Sequence, residues 1–331
     1  MAVCAIVGAL GAHAQTPSYA QPAGGQTVGA PLMGMVLDRN IARLRPVYGV
    51  SGAAVLGAPL ETGDDIGAAA VAANGQYALV ISGATSRAAF LFAAGPTETP
   101  IAGVPEGVSQ SALSPEGTAA ALYYAGERTV RVVTGLPGTD VQVHSFDVSA
   151  LPAGKLLTAV SDDGRSLLYS GDTEEVFLLG GVSGFHRVAL NGVPTALAFR
   201  RNSHDAVVAT AAGAEWLENT TDGAAVRQVA IDQNSLDASY IGISRDGAQA
   251  YFVESTGHVA LGGQNRAARS PEGGADALAC SCDRVAPQPA AGGTGYILSE
   301  YEGKPISVLD AGSATPRVYV IPAVSADGSR P

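Results

Sequence analysis

The chain has 331 residues, 47% of them apolar and 15% charged, with 42 Gly, 19 Pro and a net charge of -11. That length has room for two average domains or one large all-β array, and the Gly and Pro content suits many short strands and tight turns while resisting long helices. Lysine occurs only as Lys155 and Lys304. Nucleic acid and anionic membrane surfaces need clustered cations, so both are poor candidates as partners, and the acidity reads as a solvated, self-repelling surface.

Taken in chain order, the first segment is a targeting signal. Residues 2–12 are almost wholly small or apolar, and Ala12-His13-Ala14 forms an A-x-A site. A signal peptide (1–14) cleaved after Ala14 is expected, with Gln15 as the first mature residue. The positive n-region is missing, Cys4 follows no convincing lipobox, and the apolar stretch is shorter than the roughly 20 residues that span a bilayer. Residues 15–33, rich in Gln, Pro, Gly and Ala, read as a flexible lead-in, and residues 324–331 as a C-terminal tail. No later segment is long and apolar enough to cross a membrane as a helix.

From residue 34 to 323 one short phrase returns six times, about every 40 residues: a small or acidic turn with Gly or Asp, then an apolar, β-rich run. It reads Ala73-Asn74-Gly75, Ser114-Pro115-Glu116-Gly117, Ser161-Asp162-Asp163-Gly164, the looser Asn202-Ser203-His204-Asp205, Ser244-Arg245-Asp246-Gly247 and the degraded Cys280-Ser281-Cys282-Asp283. A repeat of this period built from short strands predicts a repeat architecture. In the second unit the strands are expected at 108–113, 119–124, 129–134 and 141–146. One four-stranded unit cannot bury both its faces; radial packing buries them and leaves only short edges. The expected fold is an all-β propeller of six or seven four-stranded blades, closed by pairing of N- and C-terminal strands. The ends match: Met35-Val36-Leu37-Asp38 parallels Ser307-Val308-Leu309-Asp310, and Arg45-Pro46-Val47-Tyr48 parallels Arg317-Val318-Tyr319-Val320. Residues 34–50 therefore read as the outer half of a blade.

The phrase Ser-x-Asp-Gly before an apolar strand resembles the repeats of bacterial secreted and periplasmic propellers of the TolB-like, YVTN-type and WD-like groups. It differs from eukaryotic WD repeats, having no Gly-His and Trp-Asp pairing and a single tryptophan, Trp216. The resemblance implies an exported bacterial propeller and selects no activity.

Candidate chemistry is sparse. After cleavage Cys280 and Cys282 are the remaining cysteines. On a strand their Cα atoms would lie about 6.6 Å apart, near the upper limit for a disulfide, so bonding needs a bend or bulge; the alternatives are two small buried side chains or a redox or metal pair. His144, His186, His204 and His258 fall in different units, and His204, at a turn, reads as solvated. The acidic pairs Asp64-Asp65, Asp162-Asp163 and Glu174-Glu175 put neighbours on opposite strand faces, unlike the facing carboxylates of a glycosidase. No nucleophile elbow, P-loop or dinucleotide motif is present, and the sialidase-type Asp box is not met. The in-phase Tyr77, Tyr123, Tyr169, Tyr251 and Tyr296 read as packing between blades. No catalytic, cofactor or metal residue is assigned.

The function expected from this reading is a non-catalytic binding or scaffold role. The protein would be a secreted or periplasmic monomer engaging a protein or cell-envelope component through top-face loops, with residues 135–139, 232–238 and 262–277 as the longer segments. The alternative is a lactonase-like hydrolase with carboxylates or a metal at the central channel.

Overall fold

The recurring phrase is a hairpin turn in which each polar group finds a local partner. In a computed structural model of the protein the Ser161 amide donates to the Ser166 carbonyl and the Gly164 amide to the Ser161 carbonyl, both at 2.9 Å. The Ser161 hydroxyl accepts the Ser166 amide (3.0 Å) and donates to Asp163 (2.8 Å), whose same oxygen accepts the Arg165 amide (3.0 Å). Ser244, Asp246, Ala248 and Gln249 repeat these bonds position for position. Gly164 and Gly247 both sit at φ +70°, a left-handed conformation that glycine enters without steric cost. Ser, Asp and Gly thus each have a bonding or conformational reason for their place in the third and fifth phrases, where all three occur together.

These caps make a pH-dependent contribution. Burial alone would raise the Asp163 carboxyl, but the Arg165 amide, the Ser161 hydroxyl and the neighbouring His204 outweigh it and hold it low. The Ser244 hydroxyl and the Ala248 amide hold Asp246 below its usual 3.8. A carboxyl depressed by folding stabilises above its unfolded value, and that share disappears as pH falls through the lower folded value. Asp246→Asn should therefore lower the urea midpoint more at pH 7 than in acid, the difference shrinking as pH falls below the ordinary carboxylate value. An equal drop at both would show that the charge contributes nothing.

The structure describes residues 30–331 except 155, 181–183, 222–224, 230–235, 257, 264–284, 292–294, 312–315 and 324–331. The leader, all but the last residues of the lead-in, the C-terminal tail and the Cys280 and Cys282 pair lie outside the described residues.

Twenty-six strands, and among the described residues no helix, form seven small antiparallel sheets. Blade 1 is β1 (Leu32–Asp38), β2 (Arg43–Val50) and β3 (Ala53–Leu56); blade 2 is β4 (Ile66–Val71), β5 (Tyr77–Ser82), β6 (Arg87–Phe92) and β7 (Gly95–Pro100). Blade 3 is β8 (Gln110–Leu113), β9 (Ala119–Tyr124), β10 (Thr129–Thr134) and β11 (Gln142–Asp147), within two residues of the expected bounds. Blade 4 is β12 (Leu157–Val160), β13 (Ser166–Ser170), β14 (Glu175–Gly180) and β15 (Gly184–Ala189); blade 5 is β16 (Pro194–Phe199), β17 (Ala206–Thr210), β18 (Gly213–Glu218) and β19 (Ala225–Val229). Blade 6 is β20 (Ala238–Ile243), β21 (Gln249–Glu254) and β22 (Val259–Gly263), and blade 7 is β23 (Val285–Pro289), β24 (Gly295–Ser299), β25 (Ile306–Asp310) and β26 (Arg317–Ile321). The fold is a seven-bladed β-propeller.

Second strands such as β5, β13, β17 and β24 are buried from end to end, since each packs on a neighbouring blade at both faces. The in-phase tyrosines do the packing expected of them, and more. Tyr77 donates across to the Gly117 carbonyl of blade 3, Tyr251 to the Ala311 carbonyl of blade 7 (3.3 Å) and Tyr296 back to the Ile243 carbonyl of blade 6 (3.1 Å). In blade 3 the next residue, Tyr124, is the buried one.

Residues 34–50, read as the outer half of a blade, provide two strands of blade 1, and the short β3 completes it. β1 is buried almost throughout, like the second strands elsewhere, and no blade 1 residue lines the central channel. Among the described residues blade 1 therefore has no channel-facing strand. The first and last blades meet through a bridge, backbone hydrogen bonds and an ion pair, with no shared sheet among the described residues. Asp38 and Tyr301 form a parallel bridge, and the Ala291 amide donates to the Met33 carbonyl (2.5 Å). Arg39 grips Glu300 bidentately at 2.5 and 2.6 Å. Where the absent strand would run, the Gln288 side chain of β23 reaches β4 directly, accepting from the Val71 amide (2.8 Å) and donating to the Ala69 carbonyl (3.2 Å).

Candidate functional site

The channel is walled by the first strands of blades 2 to 7. Antiparallel order fixes the faces. Every turn from a first to a second strand, the place of the recurring phrase, lies on one face, with the turns from third to fourth strands; the remaining loops lie on the other. The longer segments therefore divide: 135–139 and the end of β22 at 262–263 fall on the turn face, whereas 236–238, at the start of β20, fall on the opposite one. Of these, 232–235 and 264–277 lie outside the described residues.

On the turn face the adjacent acids part company. Asp163 stays within its own turn and faces His204 Nε2 at 3.3 Å. Asp162 reaches both neighbouring blades, one oxygen accepting the Glu116 amide and the other the Asn202 amide, each at 2.7 Å. His204, expected to be solvated, is half-buried, its Nδ1 at 3.0 Å from the Ser166 hydroxyl. The other pairs also diverge: Asp64 meets Arg87, Asp65 meets Arg43, and Glu175 meets Arg187. His144 and His186 lie on the fourth strands β11 and β15, away from the channel. Glu116, Asp162, Asp163, Asn202 and His204 do gather on this face, but no group of three His, Cys, Asp or Glu among the described residues is placed to hold a metal ion.

The channel forms a cavity of about 360 Å³. Its wall is mostly apolar, led by Ala, Leu, Val and Ile, with Ser, Thr, Gln and Tyr interspersed and, among the described residues, no carboxylate. Among the described residues the single charged one of that wall is Arg201, just after β16. Its side chain is only 14% exposed, and one nitrogen lies 3.4 Å from Glu116 Oε1. Beside it are Tyr240 and Tyr296, edge to face at 5.9 Å. Burial pushes the Tyr240 phenol up to about 12, with Arg201 pulling the other way. Nothing in the sequence singled out Arg201 or Tyr240; the first stands between a strand and the looser fourth phrase, and the second lies off the tyrosine phase.

No protein-family model and no curated protein matches this chain. Solved structures do. A functionally unknown protein from Desulfotomaculum acetoxidans is similar over 88% of this chain and 100% of its own, at 13% identity and a TM-score of 0.56. A protein from Lactobacillus plantarum is similar over 88% of this chain and 97% of its own, at 11% identity and a TM-score of 0.57. Identities this low carry the fold alone. The class is therefore a seven-bladed propeller repeat protein, and 1194 solved chains match that arrangement, so the class by itself selects no activity.

Proposed function

We propose that this protein is a non-catalytic binding or scaffold propeller, exported from the cell, that engages a protein or cell-envelope component through its loops. The observation that carries the reading is that Asp162, a turn-face acid, is used to tie neighbouring blades together; a propeller hydrolase would instead gather catalytic or metal-binding acids at the channel, whose wall among the described residues carries none. The acids nearest the channel mouth serve the fold instead, with Asp162 tying blades 3, 4 and 5 together. A body cross-tied in this way holds its loops at fixed spacings, which limits the ordering cost of binding. Export rests on the leader-like residues 2–14 alone.

The test is capture of partners by the tagged mature protein in its own host, beside a variant with residues 264–277 replaced by a short Gly-Ser linker. One partner retained by the parent and lost by the variant is the expected result. Turnover of a lactone or ester by the purified protein, with no partner retained, would overturn the reading.

A further inference from the structure

We infer that the central channel is a binding site for a small amphiphilic anion, a carboxylate or phosphate head on an apolar body, with Arg201 as the receptor for the head. This goes beyond the scaffold role and does not depend on it. Arginine carries five N–H donors, and the one protein partner of the Arg201 side chain among the described residues is Glu116, at 3.4 Å. The side chain is 14% exposed at the edge of the cavity, and its remaining N–H donors are open to a second acceptor, which a bound anion would supply in charge-assisted form. Apart from Glu116, no carboxylate competes for the guanidinium among the described residues of the wall. The Tyr240 hydroxyl likewise has no hydrogen-bond partner among the described residues, and its ring lines the same cavity. Leu113, Leu157 and Leu197 supply apolar surface for the body of the ligand. The volume of about 360 Å³ falls within the roughly 300–1,000 Å³ of small-molecule sites and is too small for a folded partner.

Octanoate is the probe, with octanol and octylammonium as matched neutral and cationic controls, measured by calorimetry on the intact mature protein. Octanoate should bind one to one, at least about tenfold more tightly than either control, since a charge-assisted hydrogen bond of this kind contributes roughly that factor. Arg201→Gln should remove the preference for octanoate and leave octanol unchanged. Glu116→Gln should act the opposite way and tighten octanoate several-fold, because the one competing carboxylate is gone; a generally weakened fold would not produce that gain. Tyr240→Phe should weaken octanoate by a smaller factor. Equal binding of octanol and octanoate, or octanoate binding indifferent to Arg201→Gln, would overturn the anion assignment. Failure of all three probes to bind would overturn the channel site and leave the scaffold reading standing, since that is judged by partner capture.

Discussion

Asp162→Ala is expected to destabilise the protein by about 3 kcal/mol, the largest loss for any residue on the turn face. Both carboxylate oxygens accept backbone amides, at 2.7 Å, from two different neighbouring blades. Hydrogen bonds to a charged group contribute roughly 1.5–3 kcal/mol each, and the half-exposed position of Asp162 argues for the lower end. Because the Glu116 and Asn202 amides lose their partners together, the turns of blades 3 and 5 should loosen together. The measurement is urea unfolding, where the midpoint should fall at constant m-value. Asp162→Asn should recover part of the loss, since its single oxygen can serve one amide while its NH₂ opposes the other. Asp163→Ala is the control, removing bonds confined to one turn and to His204. Equal losses for Asp162 and Asp163 would show that the two amide bonds to neighbouring blades add no more than the bonds of one turn with its His204 contact.

Gln288→Ala should destabilise by about 2–3 kcal/mol and loosen one place in the ring. Val71 is buried, and removing the amide of Gln288 leaves the Val71 N–H and the Ala69 carbonyl unpaired beside the channel, at roughly 1–3 kcal/mol for each buried group. A propeller gains from closure because every blade then has two neighbours, so a weakened seam exposes two faces at once. Hydrogen exchange locates the effect: the Val71 amide should lose protection ahead of amides in blade 4. Gln288→Glu separates the two bonds, because a carboxylate can accept from Val71 but can only repel the Ala69 carbonyl. Uniform loss of protection over all blades would mean that Gln288 is ordinary packing and no latch.

Much of the fold was legible because its causes are local. The Ser-x-Asp-Gly turn closes its own hydrogen bonds within six residues, so it leaves the same mark wherever it occurs, and β9 and β10 fell on their expected residues. The alternation of long apolar second strands with that turn implies blades packed on both faces. Blade 1 was harder to read. Its β3 is a four-residue AAVL strand with no turn phrase before it, and beside it the Gln288 side chain of blade 7 bonds directly to Val71 of blade 2, 217 residues away in the chain.

The candidate site was not legible, for a related reason. Glu116 lies in the second phrase, Arg201 just before the fourth and Tyr240 on the strand leading into the fifth; none is unusual in its own surroundings. Asp162 and Asp163 look alike in the chain, yet one caps its turn and the other spans three blades.

What the sequence determined by itself is the repeat, the all-β class and the chemistry of each hairpin, because short-range hydrogen bonds and strand periodicity need only neighbouring residues. What only the tertiary structure decided is the blade count, the seam at Gln288 and the lone arginine in a wall without carboxylates. Those depend on how first strands far apart in the chain converge on one axis, a condition set by the radial packing of all seven blades and by no single segment.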